Sequence, residues 1–227
     1  MNGKTMLIPI SLGTVKSFLI KGDKNILIDT GYPGNASRIL KELSANSVSQ
    51  HDVNLILITH SHHDHFGSAL ELRERTGAKV AVHRLEVEAL GLGVNKDLSP
   101  YGIKGRFATL FSSKKPKTAG IVPDIIIDQN ISLEEFGVKG KVISTPGHTS
   151  GSVSVILDNG EAIVADLIMG QFVIRGAPEY PFYVYDISVL RQSIKKVMAL
   201  RPTKIHVSHG GPFDPEDIVR RFHKDLG

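Results

Sequence analysis

The chain contains no cysteine and no tryptophan. Without cysteine there is no disulfide scaffold, no thiolate nucleophile and no metal site built on sulfur. Long apolar runs are missing as well. Nothing approaches the roughly 18–20 uncharged residues of a membrane span, and the best stretch, Ala162–Ile174, is interrupted by Asp166. The N-terminal MNGKTMLIPISLG lacks a sustained apolar core and a small-residue cleavage site, so no signal peptide is expected and a cytoplasmic location is the default. Repeats of roughly 20–50 residues and low-complexity tracts are also absent. Charge of one sign is scarce: 27 Lys and Arg against 23 Asp and Glu leave +4, an excess too small to imply a nucleic-acid partner by itself.

What is present is an ordinary globular composition, 41% hydrophobic and 22% charged over 227 residues. It suits a single domain over residues 1–227. The cationic excess is local. Between Leu98 and Pro123 there are five cations (Lys104, Arg106, Lys114, Lys115, Lys117) and no acid. Residues 91–120 show no hydrophobic period, so they read as a lid or inserted loop. Tyr101, Phe107, Leu110 and Phe111 would give that lid an apolar face with a basic rim.

Strands are expected at Thr5–Ile10, Val15–Ile20, Asn25–Ile28, Val53–Ile58, Lys79–Val82, Ile125–Ile127, Lys141–Ile143, Val153–Leu157, Ala162–Ala165 and Lys204–Val207. Val53–Ile58 is almost wholly apolar, which marks a strand buried on both faces. Helices are expected over Asn35–Ala45, Gly67–Thr76, Leu85–Leu90, Ile187–Leu200 and Pro215–Lys224, with Asn35, Asp186 and Asp214 as N-caps and Gly77 as a C-terminal stop. Helices alternating with strands in one part and hairpins in another indicate an α/β, layered α+β fold with mixed sheets.

The chemistry concentrates in His60-Ser61-His62-His63-Asp64-His65, directly after the buried strand. Two histidines two apart on extended chain point the same way, so His60 and His62 can share one ion. Asp64 and His65, where the chain turns toward a helix, can face a neighbouring ion. Such a pattern arises by chance in roughly one chain in a thousand of this composition. Three more ligand-type residues follow expected strands: His148 in Thr145-Pro146-Gly147-His148-Thr149, Asp166 after Ala165, and His209 in Ser208-His209-Gly210. Five imidazoles and two carboxylates suit two borderline divalent ions, zinc first, with iron or manganese compatible with the same donors. His51, His83, His206 and His223 read as surface or packing residues, and His63 points to the other side of the extended segment.

These features, together with Ile28-Asp29-Thr30-Gly31 and in this order along the chain, resemble the metallo-β-lactamase-fold hydrolase superfamily over nearly the whole sequence. The resemblance implies a four-layer αβ/βα sandwich: two mixed sheets face to face with helices on the outer faces. It implies that His60, His62 and His148 hold one metal, that Asp64, His65 and His209 hold a second, and that Asp166 contacts both. Asp29 matches an acidic residue that lies behind the ligands and orients them by hydrogen bonding.

Two such ions ionise a shared water near neutral pH and polarise the bond it attacks. Asp64 is the residue expected to orient that nucleophile and pass a proton to the leaving group. The chain would then be a dinuclear zinc hydrolase of an ester, thioester or lactone, with a small molecule as its substrate and no membrane partner. A phosphodiesterase or nuclease, suggested by the basic segment, is the alternative, and a mononuclear iron oxygenase a second; a homo-oligomer is compatible with all three. Cysteine stands in place of Asp166 in thiolate-using zinc β-lactamases, so that activity is not expected. The resemblance to glyoxalase II extends to the metal set, but only 18 residues follow His209, where those enzymes carry a glutathione-binding helical domain. Phe172, Tyr180, Phe182, Tyr183 and Tyr185, just beyond Asp166, are either substrate contacts or loop packing.

Overall fold

A computed structural model describes residues 5–111, 118–170 and 176–226. The chain divides into two compact units, one formed by residues 1–96 and 116–141, the other by 97–115 and 142–227.

The first unit contains β1 (Met6–Ser11), β2 (Lys16–Lys21), β3 (Asn25–Ile28), α1 (Ala36–Ala45), β4 (Val53–Leu57), α2 (His63–Phe66), α3 (Ala69–Thr76), β5 (Lys79–His83), α4 (Val87–Leu92), β6 (Ile125–Ile127) and β7 (Ile131–Ser132). Its six-stranded sheet has the order β1-β2-β3-β4-β5-β6. The first three strands are an antiparallel meander, and β3 to β6 run parallel. Parallel strands require crossovers, and α1, α3 and α4 lie in the three connections. Ile39 and Leu43 of α1, Leu72 of α3 and Leu90 of α4 pack with Leu27, Ile56, Val80 and Val82 of the sheet. The alternate set, Leu55 and Leu57, is equally buried, so β4 lies inside on both faces as expected.

The second unit contains α5 (Gly102–Phe111), β8 (Gly140–Ser144, whose first two residues belong to the first unit), β9 (Val153–Leu157), β10 (Glu161–Ala165), β11 (Met169–Gly170), β12 (Pro178–Glu179), α6 (Ile187–Ala199), β13 (Lys204–Val207) and α7 (Pro215–Leu226). Its sheet runs β13-β10-β9-β8. β10 is parallel to β13 and antiparallel to β9. Leu190, Ile194 and Val197 of α6 and Ile218 and Phe222 of α7 bury against Ala162, Val164, Ile205 and Val207. Two mixed sheets with helices are the fold class expected from the sequence.

Some local expectations need correction. A ten-residue helix, α5, occupies part of the segment expected to be an irregular lid; two glycines and a threonine hid its period. Residues 112–117, with Lys114, Lys115 and Lys117, lie outside the described residues, as does Phe172. Asn35 does not cap α1 with its side chain; its Oδ1 accepts the Tyr32 N–H instead. α7 starts at Pro215, directly after Asp214, the position expected of its N-cap; Asp214 accepts Lys204 Nζ at 2.6 Å, and Asp217 reaches back to the Asp214 N–H at 3.4 Å. Asp186 does cap α6, accepting from the Ser188 and Val189 amides, and Gly77 ends α3 at φ +75°.

Candidate metal centre

In each unit most of the candidate donors leave the carboxyl ends of two adjacent parallel strands, where open sheets place their sites, while His148 follows β8. β3 and β4 lead to Asp29 and to Thr59–His65; β10 and β13 lead to Asp166 and His209. One residue at each exit is forced into the left-handed region: Asp29 at φ +58° and Ala165 at φ +48°. Aspartate tolerates that conformation better than most residues, alanine does not, and each turns the chain sharply off its strand.

In the first unit Asp29 is fully buried and accepts three hydrogen bonds. Its Oδ1 takes the Thr59 N–H at 2.8 Å, and its Oδ2 takes the Thr59 hydroxyl and His65 Nδ1, each at 2.8 Å. Because the Thr59 hydroxyl donates to Asp29, its oxygen is the acceptor for His60 Nδ1 at 3.1 Å. His62 Nε2 lies 2.6 Å from the Lys96 carbonyl, which can only accept. The protons on these three rings are thereby assigned: His60 and His65 carry theirs on Nδ1, His62 on Nε2. The remaining nitrogens of His60 and His62, both bearing lone pairs, face each other at 3.2 Å. His65 Nε2 is 3.8 Å from Asp64 Oδ2, and its ring lies 3.9 Å from that of His60.

The second unit repeats the device. His148 donates Nδ1–H to the Tyr183 carbonyl at 2.8 Å, so its Nε2 keeps the lone pair. That nitrogen is 3.7 Å from Asp166 Oδ2, and His209 Nε2 is 3.4 Å from the same oxygen. His148, Asp166 and His209 are all buried. The Tyr185 N–H donates to the His148 carbonyl at 3.1 Å, and the Asp186 N–H to the Gly147 carbonyl at 3.1 Å. The chain from Tyr183 to Asp186 therefore cradles His148 from two sides.

This donor chemistry fits divalent ions. Two ligand atoms each about 2.0–2.1 Å from a tetrahedral ion lie about 3.3 Å apart. The facing nitrogens of His60 and His62, and the His209–Asp166 pair, stand at that spacing. Two lone pairs at 3.2 Å repel unless a cation or proton stands between them, and imidazole with carboxylate is the donor set of zinc and its neighbours. The ring nitrogens of His60, His62, His65 and His148 that face away are held by a hydroxyl, a carbonyl, a carboxylate and a carbonyl respectively, the arrangement that orients metal-ligating histidines.

The first unit holds His60, His62, Asp64 and His65 together with Asp29, and the second holds His148, Asp166 and His209 together. His63 turns away, its Nδ1 meeting the Thr118 hydroxyl. His83 receives the Leu85 N–H and His206 pairs with Glu161 at 2.7 Å, as packing residues do. Tyr180 donates to Asp225 at 2.7 Å and Phe182 offers its carbonyl to Tyr101 N–H, which makes them loop-packing residues. Lys104 pairs with Glu179. Sequence reasoning misses Thr59, Glu86 and Lys96, and it names Tyr183 only as a substrate contact or packing residue, not for the carbonyl that holds His148; three of the four contribute through the backbone or a short hydroxyl, and no residue pattern signals that.

The model of the metallo-beta-lactamase superfamily matches residues 10–209. A probable metallo-hydrolase of Methanocaldococcus jannaschii is 32% identical over 178 residues, 78% of this chain and 77% of that protein. A hydroxyacylglutathione hydrolase of Shewanella pealeana is 32% identical over 104 residues, 46% of this chain and 29% of that one. Among solved structures, the BLEG-1 B3 metallo-beta-lactamase shares the fold, with a TM-score of 0.70 at 21% identity over 99% of this chain and 100% of that one. The chain belongs to the metallo-beta-lactamase superfamily and is a metal-dependent hydrolase.

Proposed function

We propose that the two donor sets act as one dinuclear centre, most simply of zinc, that hydrolyses a small thioester, ester or lactone. In this proposal His60, His62 and His148 hold one ion, Asp64, His65 and His209 hold the other, and Asp166 contacts both. The observation that carries it is the facing lone-pair nitrogens of His60 and His62 at 3.2 Å, each ring locked from behind. When bound, the ions supply a water ionised near neutral pH and a Lewis acid for the substrate oxygen.

The chain's own groups do the rest. Asp29 and Thr59 keep the His65 and His60 protons on Nδ1, Tyr183 keeps the His148 proton on Nδ1, and Lys96 keeps the His62 proton on Nε2. Asp64, half-buried rather than sealed, orients the attacking water and carries its proton to the leaving group. A thiolate leaving group needs little protonation, since a free thiol titrates at about 8.5. Similarity to hydroxyacylglutathione hydrolase supports the thioester choice. Against a phosphodiesterase, the cation Lys104 is neutralised by Glu179.

Metal analysis of the purified protein with a panel of thioesters, esters, lactones, β-lactams and phosphodiesters tests this. The expected result is two ions per chain and turnover of an acyl substrate. His62→Ala and Asp166→Ala should each lose metal and activity together. A fully active, metal-free Asp166→Ala protein overturns the proposal.

A further inference from the structure

The extended segment His60-Ser61-His62 has to present two rings side by side, and their separation depends on the two peptide planes that meet at Ser61. The Ser61 N–H belongs to the plane shared with His60, and the Ser61 carbonyl to the plane shared with His62. Glu86 holds the first: its Oε2 accepts the Ser61 N–H at 2.8 Å. Lys96 holds the second: its N–H donates to the Ser61 carbonyl at 2.9 Å. The Glu86 carbonyl also accepts the Ser61 hydroxyl at 3.1 Å. The Lys96 carbonyl closes the circuit by accepting His62 Nε2–H at 2.6 Å.

Glu86 is fully buried, at the end of the single turn Arg84–Glu86 that leads into α4. Burying a carboxylate is costly, and glutamine would accept the same N–H without that cost. Compared with glutamine, the carboxylate adds negative potential at Ser61, one residue from each of the two imidazoles, which favours a cation between them. The structure assigns Glu86 as a positioning residue for the His60–His62 pair, fixing its spacing and raising its affinity for a metal ion. This rests on the reading that these two histidines are ligands. It places the reason for a buried charge in the turn between β5 and α4, outside every motif that carries the ligands.

The test is competition of the whole chain against a zinc chelator, run on the parent, Glu86→Gln, Glu86→Ala and Ser61→Ala, beside thermal melting of each metal-free protein. Glu86→Gln should bind zinc about 10-fold to 100-fold more weakly while melting, metal-free, where the parent does. Glu86→Ala should lose affinity and melting temperature together. Ser61→Ala, which removes one neutral hydrogen bond and leaves the charge, should weaken zinc binding about 3-fold to 10-fold. It serves as the deciding variant if Glu86→Gln does not fold. Parent-like affinity in Glu86→Gln, or in Ser61→Ala where Glu86→Gln is unfolded, overturns the assignment. So does a loss of affinity that merely tracks a loss of metal-free stability. A parent chain that binds no zinc sinks the metal centre itself, a result distinct from either.

Discussion

Substituting Asp29 separates its structural task from its proposed task at the metal. In Asp29→Ala the Thr59 N–H, the Thr59 hydroxyl and His65 Nδ1–H all lose their acceptor. The two side-chain donors can reorient, but the buried N–H cannot, and each buried donor left unsatisfied costs about 1–3 kcal/mol. Alanine at φ +58° adds about 1 kcal/mol. The metal-free protein should therefore lose about 2–4 kcal/mol.

Asp29→Asn behaves differently. Asparagine tolerates the left-handed conformation, and its oxygen must stay on the Thr59 N–H. Its amide then stands where Oδ2 was and donates to the Thr59 hydroxyl and to His65 Nδ1. The hydroxyl proton swings to His60 Nδ1, and both imidazole protons move to Nε2. His60 Nε2–H can now donate to His62 Nδ1 across the existing 3.2 Å. The hydrogen bonds are re-paired, so the metal-free protein should change by only about 1 kcal/mol. Both nitrogens proposed to face metal are now protonated, and zinc affinity should fall about 10-fold to 100-fold. Urea unfolding of chelator-treated protein, chelator competition and NMR of the imidazole nitrogens measure the three quantities. Parent-like zinc affinity in Asp29→Asn, or His60 and His65 still protonated on Nδ1, refutes the reasoning.

Two further substitutions probe the second unit. Tyr180 has its hydroxyl pushed up to about 12, chiefly by burial, against an ordinary value of 10.0. A raised value means the folded state holds the neutral phenol, so its contribution is intact below pH 10 and lost as pH rises through 12; Tyr180→Phe should flatten the stability–pH curve in that window, and an unchanged slope removes the idea. Gly147 sits at φ +133° with room for no side chain, since a Cβ would lie 2.3 Å from the Leu190 Cα. Gly147→Ala should cost about 3 kcal/mol by pushing α6 from the loop that carries His148, with denaturant unfolding as the measure and a loss below about 1 kcal/mol as the contrary result.

Side-chain chemistry and backbone orientation were not equally legible in the sequence. The strands could be read because β-branched and aliphatic runs such as Val53–Ile58 are long enough to bury, the seven proposed ligands because ligand-type residues recur after those runs, and Asp29 only through the family resemblance. α5 could not, because its glycines and threonine break the apolar period. Nor could the groups that aim the ligands, since the carbonyls of Lys96 and Tyr183 are chemically the same as every other carbonyl in the chain. The two strand exits follow the same logic. A strand delivers a residue to the sheet edge, but a left-handed residue at Asp29 or Ala165 decides which way the next side chain faces. At Asp29 the turn and the carboxylate belong to one residue; at Ala165 the turn precedes the carboxylate of Asp166. Alanine has no polar group to compensate for that conformation, so the strain there has to be supported by what surrounds it, including the Ser208 N–H that reaches the Ala165 carbonyl from β13 at 3.3 Å. The second donor set therefore depends on the pairing of β10 with β13, whereas the first depends on a carboxylate that ties the end of β3 to Thr59 and His65 beyond β4.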